Sequence, residues 1–237
     1  MEQDLVLSRL IVELARHPVL GDELVFRGGT CLHKVVLPEP LRYSEDLDYV
    51  RATHGPIGPI LDAIREVADG LGMDANTDVG SYPKVRLRAP FESGAGRMRV
   101  KIEINTHETS PARPHRRASY QVDSAWWSGR AEVLTFQPEE LVATKLRAMF
   151  QRRKGRDLFD LWVALTVLAL DPAEIVACFD PYRPDGYTAE RARQGLQEHV
   201  SDVGFRADLI PLLREVPEGY DIDAAGALVA EELLSIA

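Results

Sequence analysis

The apolar residues in the first half of the chain follow two different periods. Residues 3–16 and 59–70 repeat apolar side chains at helical spacing, which predicts two amphipathic helices. Residues 84–88 and 98–105 alternate between apolar and polar side chains, which predicts two half-buried strands. A further short strand is predicted over residues 24–26, directly before a glycine turn. This half therefore favours an α/β arrangement.

From residue 137 onward the pattern becomes helical. Pro138 suits the first position of a helix, and Glu139 and Glu140 suit its positive N-terminal end. Apolar spacing predicts helices over residues 138–149, 156–170, 172–178, 188–200, 207–215 and 224–236. The chain thus divides into a predicted α/β core, residues 1–130, and a predicted α-helical C-terminal domain, residues 131–237.

Two carboxylates and a glycine pair carry the first chemical signature. A predicted strand over residues 43–51 bears Asp46 and Asp48 at alternate positions, which share one face. Two carboxylates on one face repel each other unless a cation lies between them, and such oxygen ligands suit Mg²⁺ bound to a substrate phosphate. Upstream, Gly28 and Gly29 allow backbone N–H groups to approach phosphate closely. Together these features indicate a nucleotidyl-transfer site.

The same residues resemble a known family. The pattern is similar to the nucleotidyltransferase superfamily of DNA polymerase β, and more closely to its AbiEii/AbiGii toxin branch, whose members are toxins of phage-defence and toxin–antitoxin operons. The matching positions, in order, are Phe26, Arg27, Gly28, Gly29, Thr30, Leu32, Arg42, Ser44, Asp46 and Asp48. The alternative without a functional site is a glycine hairpin beside a solvated acidic strand. The resemblance implies a polymerase-β-like nucleotidyltransferase core, which is a mixed sheet with flanking helices, and a helical domain that completes the active-site cleft.

The resemblance also implies roles for individual residues. Asp46 and Asp48 are the implied catalytic residues and ligands of one or two Mg²⁺ ions. Glu103, on a neighbouring predicted strand, is the candidate third ligand, although an ordinary exposed glutamate is the alternative. The implied nucleotide-binding residues of this first block are Gly28, Gly29, Thr30, Arg42 and Ser44.

A second block, Lys145 followed by Arg156-Asp157 and Asp160, resembles a later motif of the same branch. The Lys145 ammonium suits the triphosphate of an incoming NTP, and Arg156 suits a phosphate contact or a clamp on an aspartate. Asp157 and Asp160 lie three residues apart on one helix face, and one of them is implied to orient Lys145 or a water at the metal site. Structural salt bridges are the alternative for both aspartates.

Charge is distributed unevenly along the chain. The net charge is −9, but residues 84–156 hold 16 basic and 7 acidic residues, a net of +9. Because the local field decides where a polyanion docks, this basic band suits an RNA or nucleotide partner. Solvated strand and helix faces are the alternative for the individual arginines.

The cysteines, the N-terminus and the longest apolar run indicate the cellular compartment. Cys31 and Cys178 lack metal-ligand spacing and are typical of buried thiols in a reducing compartment. The charged N-terminus is unlike a secretory signal, and the longest apolar run, residues 161–170, is far short of the ~20 residues of a membrane span. We therefore expect a cytoplasmic protein without a membrane partner.

The function implied by the resemblance is Mg²⁺-dependent transfer of NMP from an NTP to RNA, at the 3′ acceptor end of tRNA. Such a toxin implies a cognate antitoxin protein as partner. Two alternatives remain open from the sequence: transfer to a protein or small-molecule hydroxyl, and a catalytically silent nucleotidyltransferase-like binding module.

Overall fold

In a computed structural model, which describes residues 2–237, the chain forms two compact units. The first, here called the sheet unit, contains the chain up to Pro38, Ser44–Pro111 and His115–Phe136. The second, the helical unit, contains Glu39–Tyr43, Ala112–Pro114 and Gln137–Ala237. Two short segments of the first half of the chain therefore belong to the helical unit.

The sheet unit is built on one seven-stranded mixed sheet. The strands are β1 (Leu24–Arg27), β2 (Asp46–Arg51), β3 (Asp74–Asp78), β4 (Lys84–Pro90), β5 (Arg97–Asn105), β6 (Arg116–Asp123) and β7 (Ser128–Thr135). Their order across the sheet is β3-β4-β5-β2-β1-β7-β6. Strands β2 and β5 pair in parallel, as do β1 and β7, whereas the other neighbours are antiparallel. The mixed α/β sheet predicted from the sequence is confirmed.

Helices supply the apolar cover of the sheet. They are α1 (Glu2–Arg16), α2 (Leu20–Glu23), α3 (Gly28–Cys31), a π-helix (Leu32–Val36) and α4 (Gly58–Gly70). Helix α1 buries Leu7, Leu10, Ile11 and Leu14, the stripe predicted from its spacing. One face of β4 and β5 is buried and the other is exposed or half-buried, so this part of the sheet is covered on one side only.

The sheet differs from the prediction at three strands. Strands β3, β6 and β7 are not among the strands that the sequence pattern predicts. Strand β7 spans the predicted domain boundary at residue 130, because Ala131, Val133 and Thr135 point into the core and continue the sheet. The division between the compact units instead falls between Phe136 and Gln137.

The helical unit consists mainly of helices joined by short turns. These are α5 (Pro138–Gln151), α6 (Gly155–Thr166), α7 (Pro172–Ala177), α8 (Ala189–Val200), α9 (Val203–Ala207) and α10 (Ile222–Glu232), with 3₁₀ turns at Asp180–Tyr182 and Ile210–Leu212. The side chains of Asp171, Thr188, Asp202 and Asp221 cap four of these helices by accepting backbone N–H bonds. The predicted helix over residues 207–215 is wrong, because Pro211 and the preceding turn leave only a 3₁₀ segment there.

Among residues 2–237, no helix combines the length and the apolar character that crossing a membrane requires.

Candidate active site

Asp46 and Asp48 lie on β2 with their side chains on the same face, as predicted. Both are half-buried, while Leu47 and Tyr49 between and beyond them are buried in the core. In the parallel pairing with β5, Asp46 lies opposite Lys101 and Asp48 lies opposite Glu103. The sheet therefore presents a carboxylate pair on a surface that solvent reaches, with the core fixing the strand from behind.

The glycine turn is built closely against Asp48. Gly28 has a φ of +80°, a conformation that favours glycine, and a Cβ added there would lie 2.5 Å from Oδ2 of Asp48. Arg27, the residue before the turn, lies opposite Asp48 in the antiparallel pairing of β1 and β2. The turn thus places the N-terminus of α3 directly beside the carboxylate pair, where its free backbone N–H groups suit an anionic ligand.

Replacing Gly28 with alanine is expected to damage this arrangement. The new Cβ is strained at φ +80° and displaces the Asp48 carboxylate, so we expect a stability loss of about 1–3 kcal/mol and a fall in catalytic rate of about 10² or more. Gly219→Ala is the matched control, because Gly219 has the same φ of +80° and nothing within 4 Å of the added Cβ. Thermal unfolding and nucleotidyl transfer should be measured for both variants. Equal activity in the two variants would contradict the role assigned to the turn.

Thr30 and Ser44 hold the start of β2 in place. The Thr30 hydroxyl, which is almost fully buried, lies 2.6 Å from the Ser44 hydroxyl and 2.5 Å from the Asp46 carbonyl oxygen. The helix begins at Gly28, and the Thr30 hydroxyl bonds to the strand that carries the carboxylates. The Thr30 side chain therefore positions Asp46, and Ser44 remains half-buried beside it.

The oxygen ligands of Asp46 and Asp48 fit a divalent cation held by two protein carboxylates.

Lys101 already places a positive charge beside this carboxylate pair. Its ammonium lies 2.9 Å from Oδ2 of Asp46. Burial alone would lower the pKa of Lys101, but the hydrogen bond and charge of Asp46 outweigh it and raise that pKa, which keeps the ammonium protonated. Lys101 was absent from the predicted site, although strand alternation places it on the same face as Glu103.

Glu103 does not join the aspartates in one ligand set. Its carboxylate lies 3.4 Å from the Lys84 ammonium and 3.6 Å from that of Lys101. Within the described part of the chain, residues 2–237, no three His, Cys, Asp or Glu side chains converge as a metal site. In this structure two lysines engage Glu103, and a role for it as the third ligand of a bound ion stays a prediction. Asp46 and Asp48 are the carboxylates that suit an ion whose other ligands come from substrate and water.

The second predicted cluster lies within the helical unit and is almost fully buried. Lys145 on α5 places its ammonium 2.8 Å from Oδ2 of Asp160 and 3.5 Å from Oδ1 of Asp157, both on α6. Both aspartate side chains are 0% exposed, and the Lys145 side chain is 6% exposed. Buried charges persist only when paired, and here each carboxylate is paired with more than one cation.

Arg42, a predicted nucleotide-binding residue, bonds to Asp160 in the buried cluster. Its Nε and Nη2 donate to the two carboxylate oxygens of Asp160, at 2.8 and 2.7 Å, and Nη1 donates to the carbonyl oxygen of Tyr43. Burial alone would lower the pKa of Arg42, but the charge and hydrogen bonds of Asp160 outweigh it and raise that pKa. Arg42 thus clamps Asp160, and its predicted contact with the nucleotide stays a prediction.

The other basic residues of this motif divide their roles. Arg152, which was not among the predicted site residues, donates from Nε and Nη2 to Asp157 at 2.7 and 2.8 Å. Arg156 lies apart from this cluster, with its Nε 4.0 Å from Asp208. Lys145, Asp157 and Asp160 are therefore brought together with Arg42 and Arg152, and Arg156 is not part of the group.

Glu140 is a buried carboxylate that the sequence assigned only to a helix end. It is fully buried, accepts backbone N–H bonds from Ala112 and Arg113, and accepts a hydrogen bond from the Tyr182 hydroxyl at 2.6 Å. These bonds fix the short segment Ala112–Pro114 within the helical unit. Its role is structural.

Comparisons with known proteins agree with the fold. The chain matches the structures of MenT4, a nucleotidyltransferase toxin of Mycobacterium tuberculosis H37Rv (18% identity, TM-score 0.64, 99% of this chain and 83% of that chain), and of a putative nucleotidyltransferase of Helicobacter pylori (18%, 0.59, 99% and 93%). JHP933 from Helicobacter pylori is also similar (17%, 0.55, 99% and 90%). A search of curated proteins found no match.

At these identities the structures show a shared fold alone. The family model "Nucleotidyl transferase AbiEii toxin, Type IV TA system" matches residues 9–228, which is nearly the whole chain and includes both clusters. This chain therefore belongs to the AbiEii nucleotidyltransferase toxin family of type IV toxin–antitoxin systems.

Proposed function

We propose that this protein transfers NMP from an NTP to the 3′ end of RNA, with the tRNA acceptor end as substrate, and that it thereby acts as a growth-arresting toxin in the cytoplasm. The observation that carries the proposal is the carboxylate pair Asp46 and Asp48 on an open sheet face, with the Gly28 turn packed directly against Asp48. A separately encoded antitoxin is the proposed protein partner.

In this reaction the terminal hydroxyl oxygen of the RNA forms a bond to the α-phosphorus, and the bond between the α-phosphorus and the bridging oxygen breaks, so that pyrophosphate leaves. Asp46 and Asp48 would hold Mg²⁺, which when bound supplies positive charge that neutralises the phosphates. A carboxylate oxygen of the pair takes the hydroxyl proton. The backbone N–H groups at Gly28, Gly29 and Thr30 and the Ser44 hydroxyl orient the phosphates.

The proposed role of Lys145 is a contact with a phosphate group of the NTP. The five groups Arg42, Lys145, Arg152, Asp157 and Asp160, of which Arg152 alone is largely exposed, comprise three cations and two anions. The net positive charge of these five groups suits a phosphate group, and the predicted contact of Lys145 with the NTP stays a prediction. Asp157 and Asp160 act on Lys145 as positioning residues, since each of them contacts its ammonium.

The test is a labelling assay with the purified protein. Total RNA, Mg²⁺ and each of the four α-³²P-labelled NTPs in turn are incubated with the wild type and with Asp48→Ala. We expect label on tRNA-sized RNA with the wild type and none with the variant. Label on protein or on a small molecule instead would favour the alternative acceptors. Failure to bind NTP, seen as no Mg²⁺-dependent thermal shift, would favour the silent binding module.

A further inference from the structure

Two successive like-charge pairs lie opposite each other on the open face of β4 and β5. In the antiparallel register Arg86 faces Lys101, and Arg88 faces Arg99. Like charges directly opposite on one sheet face are destabilising. We refer to Arg86, Arg88, Arg99 and Lys101 as the cationic ladder.

Nearby carboxylates compensate only part of this ladder. Arg86 lies 3.8 Å from Asp78, and Lys101 lies 2.9 Å from Asp46. Asp74 lies opposite Arg88 across β3 and β4, but its carboxylate pairs with Arg97. Arg88 and Arg99 are exposed, and within residues 2–237 no side-chain ion pair is found for either guanidinium. Two adjacent arginines of the ladder are therefore available to an external anion.

The arrangement is not a general property of this sheet. The other hairpin, β6 and β7, pairs Ser119 with Glu132 and Gln121 with Arg130 on its exposed positions, and no like charges face each other there. The opposite face of the ladder strands carries buried apolar side chains such as Leu87 and Val100, which force the ladder toward solvent. The repulsion within the cationic ladder therefore requires an explanation that is specific to β4 and β5.

The ladder begins at the proposed catalytic carboxylates. Lys101 lies opposite Asp46 across the parallel pairing of β2 and β5, and Arg99 follows two residues, about 7 Å, farther along β5. Arg97 continues the exposed face for a similar distance again, with Asp74 as its ion-pair partner. Positive charge thus extends outward from the carboxylates. This positively charged stretch is too long for a single phosphate group to span, but a chain of phosphates can span it.

We propose that the cationic ladder binds the sugar–phosphate backbone of the RNA acceptor and leads its 3′ end to Asp46 and Asp48. Delivery of the RNA 3′ end to Asp46 and Asp48 rests on the proposed nucleotidyl transfer. Binding of the RNA backbone by the cationic ladder is a separate property of this sheet face. Contacts to phosphate carry little sequence information, so this surface sets the register and the affinity of the RNA. The identity of the RNA is read elsewhere.

The test measures RNA binding without chemistry. Fluorescein-labelled total tRNA is titrated by fluorescence anisotropy at several NaCl concentrations, with no NTP, against the wild type and Arg88→Gln/Arg99→Gln. If both guanidiniums contact phosphates, the slope of log K against log salt falls by ~1.4 to ~1.8, and affinity at about 0.15 M salt falls about tenfold or more. Thermal stability should be unchanged or higher, because a like-charge pair has been removed.

Arg193→Gln/Arg214→Gln is the matched control, since it removes two exposed arginines from the helical unit. It should bind tRNA with the slope of the wild type. An equal loss in the control, an unchanged slope in the ladder variant, or no tRNA binding by the wild type would each overturn the proposal.

The labelling assay separates this inference from the proposed reaction. Ladder-dependent tRNA binding without labelling of RNA would refute the reaction and support the binding surface. Labelling of RNA with an unchanged KM for tRNA in the ladder variant would support the reaction and refute the surface.

Discussion

Replacing Asp48 with asparagine is expected to lower nucleotidyl transfer by at least about 10³-fold, because the bound metal ion supplies several kcal/mol of charge stabilisation in the transition state. The amide keeps the size and shape of the carboxylate beside Gly28, so the turn and the strand should remain in place. Transfer rates are measured over a range of Mg²⁺ concentrations. Thermal unfolding is followed with and without Mg²⁺ and NTP, and the ligand-dependent rise in Tm should be lost with the activity.

Asp123→Asn is the control for this variant. Asp123 is an exposed carboxylate on β6 of the same sheet, so its replacement removes one negative charge from the same unit. It should retain wild-type transfer and a wild-type response to Mg²⁺. Substantial transfer by Asp48→Asn would refute the assignment of the carboxylate pair, even if RNA were the correct acceptor.

The carboxylate pair could be predicted because its geometry is local. Alternation along one strand places Asp46 and Asp48 on the same face whatever the neighbouring strands are. The glycine turn was equally readable, since Gly28 needs a backbone conformation that few other residues adopt. The contact between the glycine turn and the carboxylate pair depends on the register of β1 and β2, which the sequence pattern alone does not predict. The family resemblance associates the two features.

Strands β3 and β6 could not be predicted because their own sequences carry weak signals. Strand β3 has no large apolar side chain, and it forms because it pairs along its length with β4. Strand β6 buries only Ala118 and Tyr120, and nearby prolines favoured a loop. In such strands the pairing partner determines the conformation, so local propensity is a poor guide.

Some contacts of the candidate site residues could not be predicted, because their partners are distant in sequence. The spacing of Lys145, Asp157 and Asp160 identified a charged helix motif, but Arg42 bonds to Asp160 across 118 positions of sequence. Arg42 is also part of the family pattern, and a pattern alone does not distinguish a residue that binds substrate from one that clamps a neighbour. Glu103 illustrates the same limit, because its contact with Lys84 depends on the pairing of β4 with β5.

The buried cluster gives the second large effect. Asp160→Asn is expected to destabilise the protein by about 3–5 kcal/mol, because it leaves the guanidinium of Arg42 and the ammonium of Lys145 without their shared counter-charge. Their side chains are 3% and 6% exposed, so neither group reaches water without unfolding. For a chain of this length the loss corresponds to a fall in Tm on the order of 10 °C.

Asp157→Asn is the matched comparison, because the same chemical change occurs three residues away on the same helix. Its partner Arg152 is 48% exposed and can turn to solvent, and Lys145 keeps Asp160, so the expected cost is only about 1–2 kcal/mol. A double-mutant cycle then isolates the clamp: Arg42→Met should cost less in the Asp160→Asn background than in the wild type, since it removes an uncompensated buried cation. Equal costs in the two backgrounds would show that Arg42 and Asp160 do not stabilise each other, and that the cluster contributes to the fold only through its packing.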